Sequence, residues 1–291
     1  MSGTSDREAR TRIRPPVNVP VRLFLLGHPV SHSLSPRIQN AALEAAGIRG
    51  SYEALDIAPD AFEETLTRLR RPHVGGNATV PFKERVHDAC DELSPLARRV
   101  GAVNTWWVDG DGRLIGDNTD VPGFDAAARE LLHADAGGPP RNLSVGVLGA
   151  GGAAAAVLAA AESWPGSVVH VYNRTPERAR ALCERFGHNV HAADDIGVVG
   201  GADLVVNATS IGLTNDAFPI DVALLAPGTS VLDLVYRPGG TAFVRELRGR
   251  DRRAMDGLTM LVEQAAFAFE RWFGVTPDRS AMWRAARGNS A

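Results

Sequence analysis

Cysteine is almost missing from this sequence, and so is any strong charge bias or long apolar run. Cys90 and Cys183 stand alone, too far apart for a CxxC motif or a metal-ligand spacing, so neither a disulfide framework nor a cysteine-held metal site is available. No metal is expected, and a reduced cytoplasm is the compartment such a chain implies. Lys and Arg number 31 against 34 Asp and Glu, a net charge of −3, which gives no reason to expect nucleic acid or an anionic membrane as partner. The one charge-free apolar stretch, Val145–Ala161, is mostly alanine and is interrupted by Gly146, Gly149, Gly151 and Gly152. It is too short and too weakly hydrophobic for a membrane span, and a buried strand, turn and helix fit it better. Met1–Pro20 mixes Arg, Asp, Pro and Gly; it lacks the apolar core of a signal peptide and reads as a mostly disordered tail.

What is present is enough for a large core. Hydrophobic residues make up 44% of the 291 and charged residues 22%, the balance of a globular chain that needs no covalent staple. The length favours two domains. Apolar runs alternate with helix-like stretches, the pattern of α/β architecture with a largely parallel sheet. Strands are expected at Arg22–Leu26, Tyr52–Ile57, Val74–Thr79, Val103–Trp107, Ser144–Leu148, Val168–Tyr172, Leu204–Asn207 and Val231–Leu234. Helices are expected at Pro36–Ala46, Pro59–Leu69, Phe82–Cys90, Ala153–Ala161, Pro176–Phe186 and Leu258–Trp272, with a loop at Asp135–Arg141.

Gly149-Ala150-Gly151-Gly152-Ala153-Ala154 satisfies GxGxxG/A between an apolar strand and an alanine-rich helix. In such a turn the first glycine allows the tight bend and the second lets backbone approach a pyrophosphate. The small residue at Ala154 lets helix and strand pack closely, and the helix N-terminus presents unpaired N–H groups. Taken alone the motif reads equally as a buried glycine turn. Its context adds to it. The next strand ends at Tyr172, where NAD enzymes place Asp or Glu on the ribose hydroxyl. Here Asn173-Arg174-Thr175 follows, then Arg178. Arginines four apart on one helix face can converge on a phosphate, and Thr175-Pro176 reads as an N-cap and N1 pair. This set favours NADP over NAD, the alternative being two solvated surface charges.

Ser35-Pro36 reads as another N-cap and N1 pair, which puts the hydroxyls of Ser33 and Ser35 near a helix's positive end, where a carboxylate is stabilised. Simple capping would explain Ser35 by itself. Lys83, taken singly, is an exposed lysine near a helix start. Asn77, Thr79, Asn104, Tyr236 and Gln264, taken singly, are turn, strand, core and surface residues.

Read together, the segments Ser31–Pro36 (SHSLSP), Asn77–Lys83 (NATVPFK), Ala102–Thr105 (AVNT), Gly116–Asp120 (GDNTD), Gly149–Ala153 (GAGGA), Asn173–Thr175 (NRT), Asn207–Ser210 (NATS), Asp233–Tyr236 (DLVY) and Gly257–Ala266 (GLTMLVEQAA) resemble the shikimate dehydrogenase family. The resemblance runs from about Leu23 to Trp272. It implies an α/β fold of two domains: an N-terminal substrate domain, a Rossmann dinucleotide-binding domain, and C-terminal helices that return to the first. The implied bounds are 21–121 with 257–291 for substrate and 122–256 for NADP. The active site would lie in the cleft between them. The implied reaction is reversible, NADPH-dependent reduction of 3-dehydroshikimate to shikimate. Lys83 matches the family's catalytic lysine and Asp120 its aspartate partner. Ser33 and Ser35 match the serines that hold the carboxylate, a pair that looks more like the shikimate-selective branch than the quinate-using one. Asn77, Thr79, Asn104, Tyr236 and Gln264 match positions that bind the polyol ring. Gly149, Ala150, Gly151, Gly152, Ala153, Asn173, Arg174, Thr175 and Arg178 match the cofactor site, Thr209 lies in a turn beside it, and Gly257 matches a backbone contact near the nicotinamide.

There are departures from the family pattern: Ala78 where Val is frequent, Ala155 where a basic residue often follows the glycine motif, Gln39-Asn40 in place of His-Asn, and Val121-Pro122-Gly123-Phe124 after Asp120. A quinate/shikimate dehydrogenase of broader specificity and a non-catalytic ligand sensor of the same fold are the alternatives. The residues leave oligomeric state open, a homodimer among the options.

Overall fold

The computed structural model describes residues 12–13, 19–133 and 138–288. Most of the Met1–Pro20 tail lies outside them, as do residues 135–137 of the expected loop. Arg12 and Ile13 are described and do not behave as a free tail. Ile13 is buried, and its N–H donates to the carbonyl of Trp272 at 2.8 Å. One isoleucine among polar neighbours has no periodicity to reveal such docking. The chain divides into two compact units: unit 1, up to Thr119 and again from Val262, and unit 2, Asp120–Leu261.

Unit 1 opens with β1 (Val21–Gly27), α1 (Ser35–Ala45) and β2 (Gly50–Asp56). After a 3-10 turn at Pro59–Ala61 come α2 (Phe62–Leu69), β3 (Val74–Ala78), α3 (Lys83–Ala89), β4 (Glu92–Leu93), α4 (Pro95–Val100), β5 (Thr105–Val108) and β6 (Leu114–Asp117). The sheet order is β2-β1-β3-β5-β6-β4. β1 pairs in parallel with β2 and β3, but β5 runs antiparallel to both β3 and β6. This sheet is therefore mixed, with antiparallel pairing confined to β5, while the other pairings keep the expected parallel sense. The antiparallel β5–β6 pair follows from the turn Asp109-Gly110-Asp111-Gly112 between them. Asp109 Oδ1 accepts the N–H groups of Asp111 and Arg113 at 3.0 and 2.9 Å and reverses the chain at once, leaving no room for a crossover helix. The core beneath this sheet gathers Phe24, Leu26, Phe62, Phe82, Val86, Trp106 and Leu114. Phe82 is fully buried and stacks on Phe62 at 4.6 Å between ring centroids. Burial of such a ring contributes about 1.5–3 kcal/mol and fixes the start of α3, whose first residue is Lys83.

Unit 2 runs α5 (Asp120–Leu132), β7 (Ser144–Leu148), α6 (Gly152–Ala161), β8 (Val168–Tyr172), α7 (Pro176–Glu184), β9 (Val190–Ala192), α8 (Ile196–Gly200) and β10 (Leu204–Asn207). A 3-10 turn at Val222–Leu224, β11 (Ser230–Asp233), α9 (Ala242–Gly249) and β12 (Ala254–Met255) complete it. Its strands are all parallel, in the order β12-β11-β10-β7-β8-β9. This is the doubly wound order, with its switch point between β7 and β10. Ala154–Ala161 of α6 are all buried, the expected state of a helix apolar on every side. α5 is not among the helices expected above, although Asp120 in its first turn has the right sign for the helix dipole and Pro122 stands where no N–H is needed. The last two helices, α10 (Leu258–Phe273) and α11 (Arg279–Arg287), place Val262 onward in unit 1, where α11 packs on α1. No helix among the described residues is long and apolar enough to cross a membrane.

Candidate active site

In unit 2 the glycine turn leaves β7 beside the end of β10. Gly149 has φ +106°, a conformation that side chains resist, and an added Cβ would lie 3.0 Å from the carbonyl oxygen of Ala208. Only glycine satisfies both demands. Its N–H donates to Tyr172 O at 2.8 Å, which seats the turn against β8. A Cβ on Gly151 would meet open space, so the face a pyrophosphate would use is clear. Gly151 caps α6, and the first-turn N–H groups of that helix, from Gly152 and Ala153, have no carbonyl one turn earlier to bond. The turn after β10 packs against the same glycine. Asn207 Oδ1 accepts from Thr209 N at 3.1 Å and Thr209 Oγ1 at 2.7 Å, while Asn207 Nδ2 donates to Asp233 Oδ1 at 2.7 Å. Asp233 also takes Thr241 Oγ1 at 2.7 Å and Val235 N at 3.1 Å. Burial pushes its pKa above the usual carboxylate range, against those three donors and with a further upward push from Asp256.

The end of β8 carries no carboxylate. Asn173 Nδ2 donates to Thr175 O at 2.9 Å, closing the turn. Arg174 and Arg178 are both exposed, and neither side chain has a hydrogen-bond or ion-pair partner among the described residues. Arg180 differs, being tied to Asp194 at 2.8 Å. Two details correct the sequence reading. Arg174 precedes α7, so helical i,i+4 spacing does not relate it to Arg178. Thr175 occupies the N-cap position, but its side chain makes no capping bond. Two unengaged guanidiniums where an NAD enzyme has an acid still fit a phosphorylated ribose.

Gly257 approaches backbone closely. A Cβ there would stand 2.2 Å from Leu234 O, and its N–H donates to Val235 O at 3.0 Å, one residue before the half-buried Tyr236.

Unit 1 gathers the other residues. At α1 the cap differs from expectation: Leu34 is the N-cap and Ser35 the first helical residue, with Pro36 after it. Ser33 Oγ accepts the Ser35 N–H at 3.2 Å. The serine turn starts at Ser33, two residues before the Ser35 cap that Ser-Pro would give, and leaves the Ser35 hydroxyl to the helix's positive end. Lys83 opens α3, the end of a helix where a cation is unfavourable by about 0.3–1 kcal/mol. Helix stability does not account for a lysine there. Thr79 N donates to Leu26 O at 2.9 Å, holding the loop before α3 to β1.

Asn77, Asn104 and Gln264 meet in one buried network. Asn77 Nδ2 donates to Asn104 O and Thr105 Oγ1, both at 3.0 Å, and Asn104 Nδ2 donates to Thr119 Oγ1 at 3.1 Å and Gln264 Oε1 at 3.4 Å. Asp120 is buried and directly follows Thr119. Tyr52, Thr105 and Thr119 belong to this network and carry no role in the sequence reading. The motif strings AVNT and GDNTD contain two of them, but nothing in the sequence joins Tyr52 to either.

A glycine-turn Rossmann unit with free arginines at its second strand, followed and preceded in sequence by a second α/β unit rich in buried amides and hydroxyls, defines a nicotinamide-dinucleotide oxidoreductase. Comparison with known proteins narrows the class. Residues 25–106 match the shikimate dehydrogenase substrate binding domain and 257–287 the shikimate 5'-dehydrogenase C-terminal domain, while 144–219 match the model described as NADP oxidoreductase coenzyme F420-dependent. A shikimate dehydrogenase (NADP(+)) of Thermus thermophilus is 46% identical over 92% of this chain and 98% of its own. The crystal structure of shikimate 5-dehydrogenase from a second strain of Thermus thermophilus, in complex with NADP(H) and shikimate, shares 45% identity with a TM-score of 0.81, covering 92% of this chain and 98% of that one. The enzyme from Aquifex aeolicus has a TM-score of 0.84 at 32% identity, with the same coverage. The chain belongs to the shikimate dehydrogenase family.

Proposed function

We propose that this protein is an NADP-dependent shikimate dehydrogenase, reducing 3-dehydroshikimate to shikimate reversibly. The observation that carries the proposal is the 46% identity, along nearly the whole of both chains, to a relative named for that activity and cofactor. The free Arg174 and Arg178 support the choice of NADP. The two unpaired thiols support a reducing, cytoplasmic setting.

The Gly149–Ala153 turn, Asn173, Arg174, Thr175 and Arg178 would hold NADPH, which when bound would supply the hydride for the ketone carbon. Thr209 and Gly257 would border it. The chain's own residues do the rest. Ser33 and Ser35 bind the substrate carboxylate at the N-terminus of α1. Asn77, Thr79, Asn104, Tyr236 and Gln264 hold the hydroxyls and orient the ring. The Lys83 ammonium donates a proton to the ketone oxygen during reduction and takes it back during oxidation, so that hydride and proton together convert C=O to CH–OH. Asp120 orients that ammonium and accepts from a substrate hydroxyl.

Steady-state rates with shikimate and quinate, each with NADP and with NAD, test this directly. Shikimate with NADP is expected to have the highest kcat/KM of the four pairs. Comparable rates with quinate would replace the reading by a broader quinate/shikimate dehydrogenase, and binding without turnover would make the protein a sensor.

A further inference from the structure

We propose that Tyr52 and Thr105, supported by Thr119, are positioning residues that hold the amides of Asn77 and Asn104 in the orientation the substrate meets. The inference rests on the placement of those two asparagines in the substrate site. Tyr52, Thr105 and Thr119 are each 1% exposed or less, so they act through their neighbours.

The amide orientations follow from which partners are able to donate. The Thr119 backbone N–H only donates, and it reaches Asn104 Oδ1 at 2.7 Å. That end of the Asn104 amide is therefore oxygen, and its nitrogen faces Thr119 Oγ1 and Gln264 Oε1. The Asn104 carbonyl only accepts, so the Asn77 nitrogen faces it and the Asn77 oxygen faces Tyr52, whose hydroxyl donates at 2.8 Å. Thr105 Oγ1 accepts from Asn77 Nδ2, lies 3.0 Å from Asn104 Oδ1 and 2.8 Å from Thr119 Oγ1, and links the two amides. Both amide protons of Asn77 are thus engaged within the protein. Its second oxygen lone pair is left to accept from a ligand hydroxyl.

Tyr52 is itself held from outside the network. It lies on β2, an edge strand, and Asn40 pairs with its backbone, accepting Tyr52 N and donating to Tyr52 O, both at 2.9 Å. The side chain of α1 that closes the sheet edge therefore also sets the height of the tyrosine hydroxyl beneath Asn77. A chain of hydrogen bonds whose tyrosine, threonines and asparagine amides are buried keeps those groups from reorienting when substrate arrives.

Steady-state kinetics on the full-length protein test the inference, with Asn77→Ala reporting on the reading beneath it. Tyr52→Phe removes one oxygen and keeps the ring. It should raise the shikimate KM about three- to tenfold, with kcat and the NADP KM within about twofold of wild type. Thr105→Val should behave alike, and Thr105→Ser, which keeps the hydroxyl, should restore the wild-type KM. If folded Tyr52→Phe keeps a wild-type shikimate KM while Asn77→Ala raises it, the hydroxyl serves stability alone and the inference is overturned. If Asn77→Ala also leaves that KM unchanged, the asparagine is not in the substrate site and both readings fall.

Discussion

At the level of single residues, Lys83 and Arg174 separate function from stability, because neither owes its position to the core. Lys83 stands in the first turn of α3 against the helix dipole, while the fully buried Phe82 beside it does the packing. Lys83→Ala is expected to fold, to bind NADPH, and to lose roughly 10²–10⁴-fold in turnover, the size of a lost positioned acid. Near-normal kcat in a folded, NADPH-binding variant would remove the lysine from the chemistry. Arg174 has no partner among the described residues, so its removal breaks nothing internal. Arg174→Ala should weaken NADPH binding by roughly ten- to a hundredfold, the worth of a charge-assisted contact, and leave NADH nearly untouched. Equal weakening of both, measured by fluorescence titration, would show that the guanidinium does not read the extra phosphate. Both proposals start from the sequence, because each residue sits in a short motif at a recognisable break between strand and helix.

Among elements, the junctions carry more information than the interiors. The Gly149 turn is a local event, and the sequence shows it because a glycine at φ +106° and a following alanine helix both leave a compositional trace. Gly257 leaves none. Its requirement comes from the Leu234 carbonyl, more than twenty residues earlier in the chain, lying 2.2 Å from where a Cβ would be. Gly257→Ala must push two backbones apart at the start of α10, which costs about 1–3 kcal/mol. The expected result is a Tm lower by roughly 3–10 °C together with a raised Kd for NADPH. Wild-type values of both, by calorimetry and titration, would mean that the junction relaxes freely and that the close approach has no role.

For the molecule as a whole, two units imply two separable responses. A ligand present at a hundred times its Kd stabilises the segment that binds it by about 2.7 kcal/mol. Hydrogen exchange on the full chain should therefore show NADP slowing amides around 149–156 and 172–178 in unit 2. Shikimate should slow those around 33–39 and 77–83 in unit 1. Protection by NADP confined to unit 1 would contradict this division of labour.

Whatever depends on neighbours along the chain could be read from the residues without coordinates. The alternation of strand and helix, the glycine turn, and the missing acid after Tyr172 all rest on local sterics and hydrogen-bonding chemistry. Other features came into being only when distant elements packed. The antiparallel pairing of β3 with β5 made the first sheet mixed, and Ile13 found a place against Trp272. The network from Asn40 through Tyr52 and Asn77 to Asn104 and Gln264 includes a bond, Asn104 to Gln264, that spans 160 positions. Such contacts leave no periodicity to read, because their geometry arises from bringing separate elements together and their donors and acceptors are matched only once the core has closed.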